Sequence, residues 1–341
     1  MDSPPPTIER ICNMVEYTLQ PPDDKGVVRR SLHAPSFGLL RGTLEVDGDL
    51  PSEIAHGLFA QPRSFEAWIR FSRGYLFDEK KDADTVGMAV KILGVPGEMC
   101  LPGTPGEHDL ITVNIPFSWV GNREDVIQHF TILEKNRKAE VTRRGTTKRH
   151  SRKISDLVPL NAVFPSPNPR KFRWPLIKLM WIITWKWLKY ADPTAHTFNT
   201  LTPSRLVEGS MKYFFRSLPG PKLHLSGSYR ERLGQRLAAG PIRYEFLVQR
   251  RTMPDREPLD DATKAWKSPL VKVGTLQIPP QDFDTPEQLE MEERISYSPY
   301  NALKAHEPLG SLNEIRKWAY YHSAKKRSAV CPFHPPEKPT D

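Results

Sequence analysis

Arg316 and Tyr320 stand four residues apart, and Arg327 follows seven later. On a helix those spacings place the three side chains on one face. A phenol ionises with a pKa of roughly 10, so at neutral pH it is a poor anionic ligand. A guanidinium alongside favours the phenolate. Tyr321 is the competing phenol. Its helical neighbours are Lys317 and Ser328, so the arginine register favours Tyr320. Taken alone, the same residues also fit a helix with a buried tyrosine and two surface arginines.

Three polar residues earlier in the chain, His33, Ser72 and Asn114, have the types that proton transfer needs. An imidazole titrates near neutrality and can take and return a proton. A single His, Ser or Asn is more often a satisfied turn or core residue. Arginines close by change that balance. Arg30 precedes His33 by three residues and Arg70 precedes Ser72 by two. The planar guanidinium fork binds carboxylates bidentately.

These residues sit on or beside short runs of strand character. Gly42–Val46, Ala67–Phe71, Met88–Leu93 and Leu110–Asn114 alternate or cluster apolar residues, with Gly, Pro and Asp between them. That texture, from Val27 to about Phe117, predicts an antiparallel meander. A second block contains Ile242–Val248 and Leu270–Ile278. Residues 122–140 read as a helix capped by Asn122, with Glu124 and Asp125 in its first turn. Residues 311–328 read as another, with Ser311 and Glu314 in capping-box spacing. Residues 1–26 form a helix-prone lead-in broken at Pro21-Pro22, and 329–341 a flexible tail. The expected fold is α+β, an antiparallel β-barrel core with peripheral helices across residues 27–328. A doubly wound parallel sheet fits poorly, because strands and helices do not alternate and no glycine-rich phosphate loop appears.

The motifs then resemble the haem core of the catalase superfamily. They are Arg30-Ser-Leu-His33-Ala, Arg70-Phe-Ser72, Gly87-Met-Ala-Val-Lys91 and Asp109-Leu-Ile-Thr-Val-Asn114-Ile-Pro116. Pro258 to Trp266, Tyr297-Ser-Pro and Arg316-Lys-Trp-Ala-Tyr320 with Arg327 follow in order. Each is weak singly; together they cover nearly the whole chain. The resemblance implies a catalase-like barrel, a C-terminal proximal haem helix and haem b as cofactor. It implies His33 as the distal acid–base, Asn114 as the amide that hydrogen-bonds peroxide, and Ser72 as the hydroxyl orienting the histidine. It implies Arg30 and Arg70 as partners of the haem propionates. Tyr320 would ligate the iron as tyrosinate, with Arg316 and Arg327 beside it. Cys331-Pro332 is a rival, thiolate-type ligand motif, but it lies in a proline-rich tail.

Departures from the family pattern bear on the reaction. The chain is short for a catalase, and the long N-terminal arm and the C-terminal helical domain of that family are not expected in it. The segment after His33 is Ala-Pro-Ser-Phe-Gly where catalases have Ala-Lys-Gly-x-Gly. The first favours a more open pocket and reductant or organic substrates, as in the small catalase-related haem peroxidase-like branch; the second alters the loop over the haem. Allene oxide synthases of the superfamily carry threonine before the distal histidine; here Leu32 stands there, which favours a peroxidase over an isomerase. The expected function is a haem-dependent peroxidase or catalase-like oxidoreductase acting on hydrogen peroxide or organic hydroperoxides, with a hydrophobic organic substrate. Two alternatives stay open: a biosynthetic haem enzyme that oxidises or rearranges a specialised metabolite or fatty-acid hydroperoxide, and a non-catalytic haem carrier or sensor.

Composition bounds the remaining possibilities. With 38% hydrophobic residues in 341, the chain has material for a sizeable core. Its 34 prolines predict many turns and few long helices. Three unpaired-looking cysteines argue against a disulfide framework or a cysteine zinc site and for a reducing compartment. No secretory leader, lipidation signal or transmembrane stretch is read, so a cytoplasmic location is expected. The net charge of +9 includes a local cluster, residues 143–153, with six Lys or Arg and no acid. Without a recognisable nucleic-acid module this reads as a solvated loop, and no nucleic-acid partner is expected. Oligomerisation is left open. Residues 172–190 interleave tryptophans with lysines, which fits a helix packed on the barrel, a peripheral membrane contact or the guard of an apolar channel.

Overall fold

The computed structural model describes residues 4–20, 26, 28, 30, 33, 35–74, 85–102, 106–144, 174–189 and 192–327. Cys331, the tail from 329, Leu32 and most of the basic cluster lie outside the described residues.

Among the described residues, nine strands form one antiparallel sheet. They are β1 (Ser36–Val46), β2 (Arg63–Arg73), β3 (Val86–Leu93), β4 (Glu107–Val113), β5 (Thr197–Asn199), β6 (Ser204–Leu206), β7 (Gly209–Ser217), β8 (Ile242–Arg250) and β9 (Leu270–Ile278). Each apolar run of the sequence reading falls within or at the edge of one of them. The first block, β1 to β4, is a meander of successive hairpins. In the second block, β7, β8 and β9 pair in turn.

Two seams join the blocks into a barrel. At one, β1 meets β9 from Thr43–Gln277 to Val46–Gly274. A Cβ on Gly274 would lie 2.1 Å from the Glu45 carbonyl oxygen, so glycine alone lets the strands approach. At the other, the three residues of β5 bridge β4 at Val113–Asn199 and β7 at Phe198–Phe215. Eight strands therefore close on themselves, with β6 paired to β7 as an addition. The interior is filled by side chains including Phe71, Phe198, Phe215, Tyr244 and Phe246. Phe215 and Phe246 stack 4.8 Å apart. Burying each such ring is worth about 1.5–3 kcal/mol.

Six helices are described: α1 (Pro6–Leu19), α2 (Arg123–Arg144), α3 (Trp174–Lys189), α4 (Tyr229–Ala238), α5 (Pro286–Arg294) and α6 (Ser311–Lys326). The Asn122 side chain caps α2 through the Asp125 amide, 3.1 Å away. A second apolar core gathers α1, α2, α3 and α6. Ile11, Met14, Val126, Leu176, Leu179, Leu312 and Ile315 pack there with Ile115 and Phe117, which follow β4. The lead-in helix α1 also places Ile8 and Cys12 against Trp318 of α6.

The start of α6 corrects one expectation. Ser311 and Glu314 do not form a capping box. The Ser311 hydroxyl donates to Asp260 at 2.6 Å, and Glu314 pairs with Arg123. A capping box does form at Ser228 and Glu231, at the head of α4. A distant carboxylate thus outcompetes the local pair at α6.

Candidate active site

His33 sits just before β1 with φ of +49°, a left-handed conformation that a non-glycine residue holds only when its surroundings impose it. Two contacts from β2 do so. Arg70 Nη2 donates to the His33 carbonyl at 3.1 Å, and Ser72 Oγ lies 3.3 Å from His33 Nδ1. Across the sheet, Ser72 pairs with Gly87 of β3. A Cβ on Gly87 would stand 2.7 Å from His33 Nδ1 and 2.9 Å from Ser72 Oγ. The ring therefore occupies the space that this glycine leaves. Burial and the Arg70 charge hold the imidazole's pKa down at about 4, while a hydrogen bond with the Ser72 backbone opposes them. At neutral pH His33 is an uncharged base.

Asn114, the residue after β4, is buried and tied to the first residue of β3. Its backbone N–H donates to the Val86 carbonyl at 3.0 Å, and its Oδ1 accepts from the Val86 N–H at 3.0 Å. With Oδ1 engaged, Nδ2 is the donor end of the amide. Val86 adjoins Gly87, so Asn114 and His33 are held by neighbouring residues of one strand.

Arg30, Arg70 and Arg327 converge. Arg30 is pushed well below the usual guanidinium range by burial, then by the charges of Arg70 and Arg327. Arg327 is lowered to about 10 by burial and by Arg70, with Glu293 acting the other way. Arg30 and Arg327 donate to backbone carbonyls. Arg30 Nη2 donates to Ile295 and to Glu292 at 3.4 Å, and Arg327 Nη1 donates to Glu293 at 3.2 Å. The Arg327 Nε is buried without a hydrogen-bond partner. Three mutually repelling guanidiniums, the orphaned Arg327 donor among them, fit a ligand that carries two carboxylates.

Tyr320 lies half-buried on α6. The Arg316 guanidinium carbon is 5.5 Å from its ring centroid. Arg316 Nη1 donates to Thr202 Oγ1 at 2.7 Å and to Asn313 Oδ1 at 2.9 Å, and the Thr202 hydroxyl donates to Asn313 Oδ1 at 3.0 Å. Both partners are neutral, so nothing in this clamp cancels the positive charge beside the phenol. Tyr321 is more exposed and meets Trp318 and His322 edge-on. A cavity of about 20 Å³, room for roughly one water, lies behind Arg316, and Tyr213, His108 and His306 line it.

The structure thus forms three groups from the residues singled out in the sequence: His33, Ser72 and Asn114 on the β2–β4 edge, the arginine trio, and Arg316 with Tyr320. Arg70 bonds the first group and lowers Arg327 of the second, and Arg327 follows directly on the helix of the third. Gly87, Thr202 and Asn313 are positioning residues that the sequence reading did not assign. Gly87 stands at the head of the Gly87–Lys91 motif, but nothing in that motif assigns it a role.

No family model matches the chain, and no curated protein sequence matches it. Solved structures do. A fungal catalase is similar at 15% identity with a TM-score of 0.61, over 90% of this chain and 60% of its own. A bacterial catalase is similar at 16% identity and TM-score 0.56, over 92% and 60%. Catalase A from Saccharomyces cerevisiae is similar at 13% identity and TM-score 0.58, over 90% and 62%. The chain therefore spans about three-fifths of the length of these catalases. At such low identity the likeness speaks of architecture, and the architecture is that of catalases: a closed antiparallel barrel with packed helices.

Proposed function

We propose that the chain is a haem-dependent oxidoreductase of peroxidase or catalase type, acting on hydrogen peroxide or organic hydroperoxides. The observation that carries this reading is the neutral His33 imidazole held against Ser72 and Gly87, with Arg70 of the arginine trio bonded to the same turn. The residues fit haem b. Arg30, Arg70 and Arg327 would hold its two propionates, and Tyr320, with the Arg316 guanidinium 5.5 Å from its ring centroid, would ligate the iron. When bound, haem supplies the redox-active iron at which a peroxide O–O bond is cleaved.

The chain's own residues manage the proton. The His33 imidazole accepts the proton of the peroxide at its outward nitrogen and returns it to the departing oxygen, which leaves as water or an alcohol. The Asn114 Nδ2 donates a hydrogen bond to the peroxide and orients it. Ser72 and the left-handed backbone at His33 fix the ring. The Arg316 clamp keeps a positive charge beside the Tyr320 ring. A hydrophobic substrate is favoured by α3. Its buried leucines pack against Ile115 and Phe117, next to Asn114, and its outer face is rich in tryptophan. Such a substrate would set the chain beside the small catalase-related haem peroxidases.

The test is a panel of parallel assays: hydrogen peroxide alone, hydrogen peroxide with an electron donor, and a fatty-acid hydroperoxide. His33→Ala should keep its haem spectrum and lose peroxide turnover by about 10²-fold or more. Tyr320→Phe should lose haem or change the spin-state spectrum, and Tyr321→Phe should do neither. An unchanged spectrum in Tyr320→Phe removes that residue as ligand. Isomerised lipid without donor consumption would favour the rearrangement reading. Haem uptake without turnover in any assay would favour a carrier.

A further inference from the structure

Helix α3 is 16 residues long, about 24 Å at the helical rise. Trp174, Trp181 and Trp185 lie at offsets of seven and eleven, which at about 100° per residue puts them within about 40° of one another. They are 57%, 68% and 59% exposed, the three most exposed large apolar side chains among the described residues. Trp181 and Trp185 stack, with ring centroids 6.1 Å apart and planes 17° from parallel. Two residues of the opposite face are packed inward. Leu176 and Leu179 are completely buried in the second apolar core. A firmly seated helix thus displays a ridge of indoles outward.

The charge along this helix has one sign. Residues 174–189 contain Lys178, Lys186 and Lys189 and no acid. Lys178 flanks the ridge, with its ammonium 5.5 Å from the Phe117 ring. A second copy of the chain would bring the same lysines to the same face and repel it. Indoles with basic neighbours match the water–bilayer boundary, where the ring enters the acyl margin, the N–H stays among the headgroups and the lysines meet phosphates. No helix of the described residues is long and apolar enough to cross a membrane, so α3 would lie along the surface.

We propose that the tryptophan ridge of α3 is a docking surface for a phospholipid bilayer of net negative charge. The proposal stands apart from the haem reading, since vesicle binding needs no turnover. The test uses the full chain with vesicles of phosphatidylcholine alone or mixed with phosphatidylserine. Flotation and a blue shift of tryptophan emission are expected with the mixed vesicles, weakening as salt is added. The double variant Trp181→Ser, Trp185→Ser should bind about tenfold or more weakly, with its circular dichroism and melting temperature unchanged because both rings are exposed. Brominated phospholipid gives a readout that needs no variant: quenching of wild-type emission supports the proposal. Absence of flotation and quenching overturns it, as does a double variant that is folded and binds like wild type. A concentration-dependent dimer that the double variant abolishes, without vesicle binding, also overturns it and assigns the ridge to self-association.

Discussion

His33 shows how much of the proposed chemistry resides in single side chains. Its imidazole is neutral because burial and the nearby Arg70 charge both penalise the cation, holding the pKa at about 4. A base of this kind stays competent across the neutral range and loses its lone pair only in acid. The kcat/KM profile for peroxide should therefore show an acid limb near pH 4, and Arg70→Gln, by removing a positive neighbour, should move that limb to higher pH. A limb that stays in place in the variant would remove Arg70 from the control of His33. The residue types of this site were legible in the sequence, because an imidazole, an amide and paired arginines carry their chemistry wherever they stand. Their supports were not. Gly87 matters only because the register sets it opposite Ser72. Thr202 reaches Asn313 across 111 positions, a proximity that β5 creates by closing the barrel.

Elements were readable in proportion to how local their causes are. The runs in β1, β2, β3, β8 and β9 show apolar patterning that a pleated strand buries directly. The segment that closes the barrel did not show itself, since β5 is three residues long and owes its pairing to two distant strands. Helices α4 and α5, with nine or ten residues each and much charge, lack a broad apolar stripe. At α6 the sequence offered a local cap, and the fold chose another. Gly310, at φ of +88°, precedes the helix, and Asp260 accepts from both the Ser311 amide at 2.8 Å and its hydroxyl. A carboxylate at a helix N-terminus satisfies orphaned N–H groups and complements the helix dipole. Asp260→Ala should cost about 0.5–2 kcal/mol of stability in urea melts. Because α6 carries Arg316 and Tyr320, haem affinity should fall in parallel. Ser228→Ala, which uncaps α4, should lower stability by a similar amount and leave haem affinity alone. Equal effects of the two variants on haem would disconnect the α6 cap from the site.

At the scale of the whole molecule, folding fixes the protonation of groups far apart in the sequence, and acid should find them together. Burial holds His108 at about 3 and His306 at about 4, with the neighbouring imidazole adding to the shift of His108. His33 is the third. Their lone pairs are in use: His108 Nδ1 accepts from the Leu303 N–H at 3.2 Å, and His306 Nε2 accepts from the Leu58 N–H at 3.0 Å. In the unfolded chain all three titrate near the ordinary histidine pKa of about 6.5. The folded values are depressed, so the stability these residues contribute is complete above that pH and is lost as pH falls towards their folded values. Asp109 acts in the opposite sense. Burial raises it to about 6, outweighing Lys91, whose ammonium is 2.9 Å away. Below pH 6 the folded chain therefore binds a proton at Asp109 that the unfolded chain lacks until about pH 4. Three protons favour unfolding and one favours folding, leaving a net uptake of about two. Since each proton is worth about 1.4 kcal/mol per pH unit, stability between pH 6 and 4.5 should fall by about 3 kcal/mol per unit. Urea melts at closely spaced pH measure the slope directly. His306→Gln keeps a donor and an acceptor at that position and removes one titrating group, so its slope should be about half as steep. A wild-type slope near zero would mean that the buried imidazoles are charged in the fold, and with it would go the neutral His33 on which proton transfer depends.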